Sequence, residues 1–96
     1  ASLLSGCRKN DIRTVTIKVP ELKNAACARL IQDAFMQQTG IFSMTPDFQE
    51  RQITIKYNSM EIALKNLEYT IAGAGFAANS IPANTNAWAN LPPECK

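Results

Sequence analysis

Apolar residues recur along this chain with two different periods, and each change of period marks a new element. From Ile12 to Val19 apolar and polar residues alternate, which predicts a half-buried strand that Pro20 ends. After a short loop the apolar residues recur at i, i+3, i+4, i+7 and i+8, the spacing of a buried helix face. That face consists of Cys27, Leu30, Ile31, Ala34 and Phe35. Asn24 is placed to cap this helix and Thr39-Gly40 to close it.

The second half of the chain is predicted to contain two strands, a helix and a last short strand. A strand is predicted over Ile41 to Asp47, and Pro46 within it favours a sheet edge because proline cannot donate to the ladder. A short polar turn leads to a cleanly alternating strand, Gln52 to Tyr57, and the two should form an antiparallel hairpin. Asn58-Ser59 can then cap a second helix reaching about Ala72. Its predicted buried stripe is Met60, Ala63, Leu64, Leu67 and Ile71. After Gly73 and Gly75, a short last strand is predicted over Phe76 to Ile81.

The resulting order, strand, helix, strand, strand, helix, strand, is typical of an α+β ferredoxin-like βαββαβ sandwich. Right-handed crossovers then place both helices on one face of a four-stranded antiparallel sheet, with the second and fourth strands at its edges. We expect this domain to span residues 12–81. Residues 82–96 form a C-terminal tail, which we expect to dock on the domain because Trp88 and Leu91 would each gain roughly 2 to 3 kcal/mol by burial.

Composition narrows the classes of function. The 96 residues are 46% hydrophobic and 19% charged, with a net charge of +2 spread along the chain, so a nucleic-acid partner is not expected. No histidine is present, which excludes histidine acid/base catalysis, Ser-His-Asp and Cys-His triads and imidazole metal sites. No catalytic set is visible, and the first loop lacks the glycine that a phosphate cradle needs. We therefore expect a protein that is not an enzyme.

Ala1 to Cys7, followed by a polar stretch, resemble the end of a secretory signal that is cut before a cysteine. Leu4-Ser5-Gly6-Cys7 resembles a bacterial lipobox, and the chain becomes abruptly polar at Arg8. This resemblance implies a lipid on Cys7 and an extracytoplasmic place in the bacterial cell envelope, in the periplasm or at the surface. Residues 1–11 would then be a signal remnant and a linker, and the lipid would be the chain's only membrane attachment.

The strand-to-helix loop carries a second resemblance. In fold, length and spacing, residues 12–81 resemble the heavy-metal-associated domains of copper chaperones and metal-transporting ATPases. Their G-M-x-C-x-x-C signature falls on Glu21 to Cys27, where Leu22 replaces the methionine as an apolar anchor, Asn24 replaces the first cysteine and Cys27 matches the second. Matches outside the signature are Ile31, Gly40-Ile41 and Gly75-Phe76.

The resemblance implies a soft metal ion, copper or similar, bound by thiolates at a helix N-terminus. One thiolate is missing here, and three arrangements can be considered. Cys95 supplies it, since Leu91 to Lys96 is similar to the L-P-x-C-C tails of extracytoplasmic relatives; Cys27 from two chains shares one ion; or Cys27 and Cys95 form a disulfide. Cys27 can equally be an inert core residue, and Met44 and Met60 are better read as core than as ligands.

Two functions follow as expectations. The first is an extracytoplasmic metal-binding or metal-handling domain that uses Cys27 and Cys95, with a metal-transport or membrane-associated partner or a second copy of itself. The alternative is a metal-free interaction or structural module that keeps the fold, with Cys27 buried or disulfide-bonded. The sequence leaves this choice open.

Overall fold

A computed structural model describes residues 11–96, in which three strands form one antiparallel sheet of order β1-β3-β2. The strands are β1 (Ile12–Lys18), β2 (Ile41–Asp47) and β3 (Gln52–Asn58). The helices in residues 11–96 are α1 (Ala25–Phe35), α2 (Leu64–Gly73) and the short α3 (Thr85–Ala89), and a 3-10 turn follows at Pro93–Cys95. The predicted βαββα order is confirmed, as are the antiparallel hairpin and the bounds of the second strand.

The core lies between one face of this sheet and the helices. Register places Ile17 opposite Ile53 and Val15 opposite Ile55, so the inward residues of β1 and β3 face the core together. Those residues join Ile31 of α1 and the buried side of α2 in one cluster. The alternation of β1 and β3 and the 3.6-residue period of α1 therefore reflect one buried layer. No helix within residues 11–96 is long and apolar enough to cross a membrane.

The predicted fourth strand is not formed within the part of the chain that the structure describes. Between Phe76 and Ile81 only an isolated bridge joins Ala78 to Ile81, because the chain turns tightly there and Asn79 takes a left-handed conformation, φ 52°. Asn79 still lies beside β1: its N–H donates to the carbonyl of Lys18 at 2.8 Å, and its side-chain oxygen accepts from Lys18 N–H at 2.9 Å. The segment thus reaches the expected position, and β1 instead of a fourth strand forms that edge.

The second helix starts later than the sequence pattern predicted. Asn58 does organise a turn, since its side-chain oxygen accepts from the N–H of Met60 at 3.1 Å, but the regular helix begins only at Leu64. Its N-cap is Ala63, whose N–H donates to the side-chain oxygen of Asn66 at 3.3 Å. Met60, predicted to be buried, is 58% exposed because it lies on this turn.

Helix α1 also differs slightly from its prediction, at its C-terminal end. Regular α1 ends at Phe35, and the chain continues through turns to Gly40, which has a φ of +87°. Gly40 therefore takes the left-handed conformation expected of it, although it lies a turn beyond the last helical residue.

The tail lies against the domain. Leu91 is buried in the core, whereas Trp88 remains 41% exposed, with the Lys96 ammonium 5.3 Å from its ring centre. The tail also comes very close to the end of α2: a side-chain carbon on Gly75 would lie 3.0 Å from the carbonyl oxygen of Ala87. Only a residue without a side chain fits there, because Gly75 also has a φ of +106°.

Candidate functional site

The loop between β1 and α1 is held to the body of the domain at several points. Val19 N–H donates to the carbonyl of Arg51 at 2.9 Å, and Leu22 N–H closes a turn onto Val19 at 2.9 Å. Leu22 is fully buried, so its side chain anchors the loop in the core. On the other side, the Glu21 carboxylate accepts from Ala77 N–H at 2.7 Å. The backbone that leads into α1 is therefore fixed before the helix begins.

Asn24 acts as the N-cap of α1. Its backbone is extended, with φ −155°, and its side-chain oxygen accepts from Cys27 N–H at 3.1 Å. This bond satisfies one of the free N–H groups at the helix start, as N-cap asparagines commonly do. The same arrangement places Cys27 in the first turn of α1, facing the core.

Cys27 and Cys95 form a disulfide. Their Cα atoms are 5.7 Å apart although the residues are 68 positions apart in sequence, and both side chains are fully buried. Of the three arrangements considered for Cys27, the disulfide is the one that the structure contains. Cys7, the proposed lipidation residue, lies outside the described residues.

The tail is also held to the loop by polar contacts. The Lys23 ammonium donates to the carbonyl oxygen of Lys96, and the Asn24 side-chain N–H donates to the carbonyl of Glu94 at 3.4 Å. The sulfur of Cys27 lies 3.8 Å from that same Glu94 carbonyl oxygen. The tail thus covers the start of α1, and the disulfide fastens it there.

This arrangement sets what the site can do chemically. Sulfurs joined in a disulfide are not thiolates and cannot bind a soft ion as thiolates do, whereas reduction would give two neighbouring thiols, the source of the donors that soft ions prefer. Within residues 11–96 no group of three or more His, Cys, Asp or Glu side chains could hold a metal. The soft donors that this arrangement brings together are the two cysteine sulfurs.

The methionines do not belong to this site. Met44 is partly buried against the core. Met60 follows Asn58, the last residue of β3, which pairs with Ile12 at one end of the sheet. The cysteines lie beyond the opposite end, where Lys18 pairs with Gln52. The interpretation of Met44 as a core residue agrees with its position.

Sequence patterns missed Asn79 as a support of the site's surroundings. Its side-chain N–H donates to the buried carboxylate of Glu68 at 2.6 Å while its backbone and oxygen hold Lys18. Asn79 therefore ties α2 to β1. One signal was present, since asparagine tolerates the left-handed conformation better than most residues and so often marks a turn.

Comparison with solved structures finds the same fold in small metal-associated proteins. Oxidized MerP from Ralstonia metallidurans superposes with a TM-score of 0.66 at 23% identity, covering 72% of this chain and 96% of that one. A copper-binding domain from a P-type ATPase gives 0.65 at 21% identity, covering 70% and 90%. The mercury-bound form of MerP, the periplasmic protein of the bacterial mercury detoxification system, gives 0.59 at 23% identity, covering 72% and 96%.

These likenesses show the α+β fold of heavy-metal-associated, copper-chaperone-like domains, with three of the four expected strands present among residues 11–96. No protein-family profile matches the chain. No curated protein sequence matches it either.

Proposed function

We propose that this chain, which has the fold of heavy-metal-associated domains, binds a soft metal ion of the Cu(I) or Hg(II) type through Cys27 and Cys95 after their disulfide is reduced. The observation that carries the proposal is that the tail brings Cys95 to Cys27, with Cα atoms 5.7 Å apart, where α1 begins. Cys95 thus supplies the second sulfur that the loop lacks, because Asn24 is used as a helix cap.

The chemistry has two steps. An external dithiol gives two electrons and two protons to the Cys27–Cys95 bond, which breaks into two thiols while the reductant becomes a disulfide. The soft ion then replaces both thiol protons, which leave to solvent, and is held by two thiolates. The disulfide is the metal-free state in this scheme, and the protein is a binding domain and not a catalyst.

Support comes from the neighbours as well as from the geometry. The MerP structures are described as an oxidized form and a mercury-bound form. The copper-binding domain belongs to a P-type ATPase, which makes a metal-transport protein the partner that we propose for this chain. A site shared by Cys27 of two copies is a weaker arrangement, since Cys27 is buried beneath the tail.

A specific observation favours a second candidate, a metal-free interaction or structural module. Both sulfurs are fully buried, and Lys23 and Asn24 hold the tail in place in addition to the disulfide. In this candidate the disulfide only fastens the tail, and the two cysteines bind no metal when the bond is reduced.

Metal titration separates the two candidates. The protein carries Cys7→Ser, so that only Cys27 and Cys95 can contribute thiols, and is compared oxidised and after reduction with a phosphine that is then removed. Cu(I) is supplied from a competing chelator without thiols, and bound metal is measured by native mass spectrometry. We expect one ion on the reduced protein and none on the oxidised protein.

Two variants are the controls for this titration. Cys27→Ser and Cys95→Ser should each lose the bound ion under reducing conditions. The metal proposal fails, and the structural module stands, if the reduced protein binds no more Cu(I) than these variants do.

The cell-envelope location is a separate proposal and rests on Leu4 to Cys7 alone. Expression of the chain behind a complete signal should give a product that carries lipid on Cys7, detectable by mass spectrometry of the N-terminal peptide. Cys7→Ser should remove that mass, and an unmodified Cys7 would rule out the anchor.

A further inference from the structure

One edge of the sheet includes backbone groups that have no partner among residues 11–96. β1 pairs with β3 on one side, and Lys18 directs its N–H and carbonyl to the other side, where both bond to Asn79. Residues in an antiparallel strand direct these groups to alternate sides. Ile12, Thr14 and Thr16 therefore direct their N–H and carbonyl groups away from β3, as Lys18 does.

No described residue pairs with the backbone of this stretch. Asn79 occupies only the Lys18 end, and the chain after it moves off toward α2, where Asn84 N–H donates to the carbonyl of Ala72 at 2.9 Å. Thr14 and Thr16 are exposed, and Ile12 is 42% exposed. Among residues 11–96, the stretch of this edge without a backbone partner (the free stretch) is thus Ile12 to Thr16, and its middle residue is Thr14.

The opposite edge of the sheet is protected in ways that β1 is not. β2 contains Pro46, which has no N–H to give, and its register with β3 shifts at Phe42, which forms a bulge. Prolines and bulges are common devices against edge-to-edge pairing. β1 has neither and is rich in β-branched residues, which favour strand pairing.

We propose that two copies of this chain associate through β1, with the two β1 strands antiparallel about a twofold axis at Thr14. The free stretch is symmetric about that residue, so Ile12 of one copy meets Thr16 of the other, and every free N–H and carbonyl finds a partner. A strand of another protein could bond to the same groups. A second β1, placed antiparallel, offers an unpaired stretch of the same length with its N–H and carbonyl groups at the same intervals.

The side chains are compatible with this register. Thr14 would lie beside Thr14 of the second copy, a favourable cross-strand pair, and Val15 would lie opposite Arg13 of the second copy. Directly opposite positions therefore carry no like charges. The two Arg13 side chains would be diagonal neighbours, and each already has a carboxylate partner in Asp11 at 2.9 Å.

The assembly would be closed. Joining two β1 edges leaves the protected β2 edges outside, so growth stops at two copies. The association uses neither cysteine sulfur nor metal, and it is therefore independent of the proposed metal site.

The test uses the oxidised, metal-free Cys7→Ser protein, which excludes dimers made by free thiols or by a shared ion. Sedimentation equilibrium from micromolar to millimolar concentration should show a monomer–dimer equilibrium. Amide hydrogen exchange by NMR should show protection of Thr14 and Thr16 that rises at least several-fold with concentration. Val15 is the internal control, because its N–H faces β3 and should be protected at every concentration.

Thr14→Pro removes one outward N–H and leaves the bonds to β3 intact, so it should abolish the dimer. Because proline can also disturb the strand, Thr14→Lys provides a second variant that places like charges together at the axis and should weaken the dimer at least tenfold. Circular dichroism checks that both variants fold. A protein that stays monomeric at millimolar concentration, or a dimer whose Thr14 and Thr16 amides exchange as in the monomer, would overturn the proposal.

Discussion

Removal of the Cys27–Cys95 disulfide should destabilise the fold strongly. The bond closes a loop between residues 68 positions apart. In the chain-entropy model, closing a loop of that length restricts the unfolded chain enough to stabilise the fold by about 4 kcal/mol. For a domain of this size, that free energy corresponds to a fall in melting temperature on the order of 15–30 °C.

The tail's other contacts should not compensate for this loss. The bonds from Lys23 to Lys96 and from Asn24 to Glu94 are solvent-exposed, so water competes with both. Leu91 is the main remaining anchor, because its side chain stays in the core only if the tail stays docked. In urea, we therefore expect the reduced tail to detach at a lower concentration than the one that unfolds the domain; without urea, Leu91 keeps the tail, and Cys95 with it, docked.

The assay is urea unfolding of the Cys7→Ser protein with and without a phosphine reductant, followed by far-ultraviolet circular dichroism for the domain and by Trp88 fluorescence for the tail. Cys27→Ala combined with Cys95→Ala should match the reduced protein, which controls for effects of the reductant. A difference in unfolding free energy of less than about 1 kcal/mol would refute the argument, because the loop-closure entropy would then be absent from the unfolded state.

Three smaller predictions concern the loop and the turns. Leu22→Ala should lower the free energy of unfolding in urea by about 2–5 kcal/mol, since the side chain is fully buried. Asn24→Ala should cost about 1 kcal/mol by loss of the cap, and Asn24→Ser should recover most of it in the same assay. Gly40→Ala should lower the melting temperature, because the residue has a φ of +87° and a new Cβ would lie 2.9 Å from Glu61 Cβ. Gly73→Ala is the matched control, since its added Cβ meets no atom within 4 Å outside its own stretch of helix, and it should leave the melting temperature unchanged or higher.

Local chemistry explains why much of the fold could be predicted from the sequence. β2 has its predicted bounds because Gly40 precedes it and Asp47 closes it, the carboxylate accepting from the N–H groups of Gln49 and Glu50 at 3.1 Å each. The α1 cap was equally local, since Asn24 and Cys27 are three residues apart. In each case the residues that decide the conformation are close in sequence.

The errors arise where distant contacts decide. Asn58 has the chemistry of a helix cap, yet its side chain also accepts from Asp11 N–H at 3.0 Å, and the turn that it forms stops before α2. The Phe76 to Ile81 segment has strand-like residues, but Asn79 bonds to both Lys18 and Glu68 and bends it away from β1. Neither partner can be read from the local pattern.

In the candidate site, too, features that depend on neighbouring residues were predictable and those that depend on distant contacts were not. Cys27 could be placed on the apolar face of α1 from spacing alone, and the loop's Leu22 as a buried anchor followed from its apolar character. The pairing of Cys27 with Cys95 depends on the path of the tail across the domain, which sequence spacing does not specify. For this reason the sequence left three arrangements open.

The position of the disulfide also determines how the domain would carry mechanical load. If the oxidised protein is pulled at Asp11 and Lys96, force passes directly from Cys27 to Cys95, and the part of α1 after Cys27, the hairpin and α2 lie outside the loaded path. Only the chain ahead of Cys27 can then be drawn out, by peeling β1 from β3, which releases about 55 Å of extended chain. Without the disulfide, the whole chain from Asp11 to Lys96 carries the force and could extend to about 290 Å. The state of this one bond therefore sets how far the domain can be stretched.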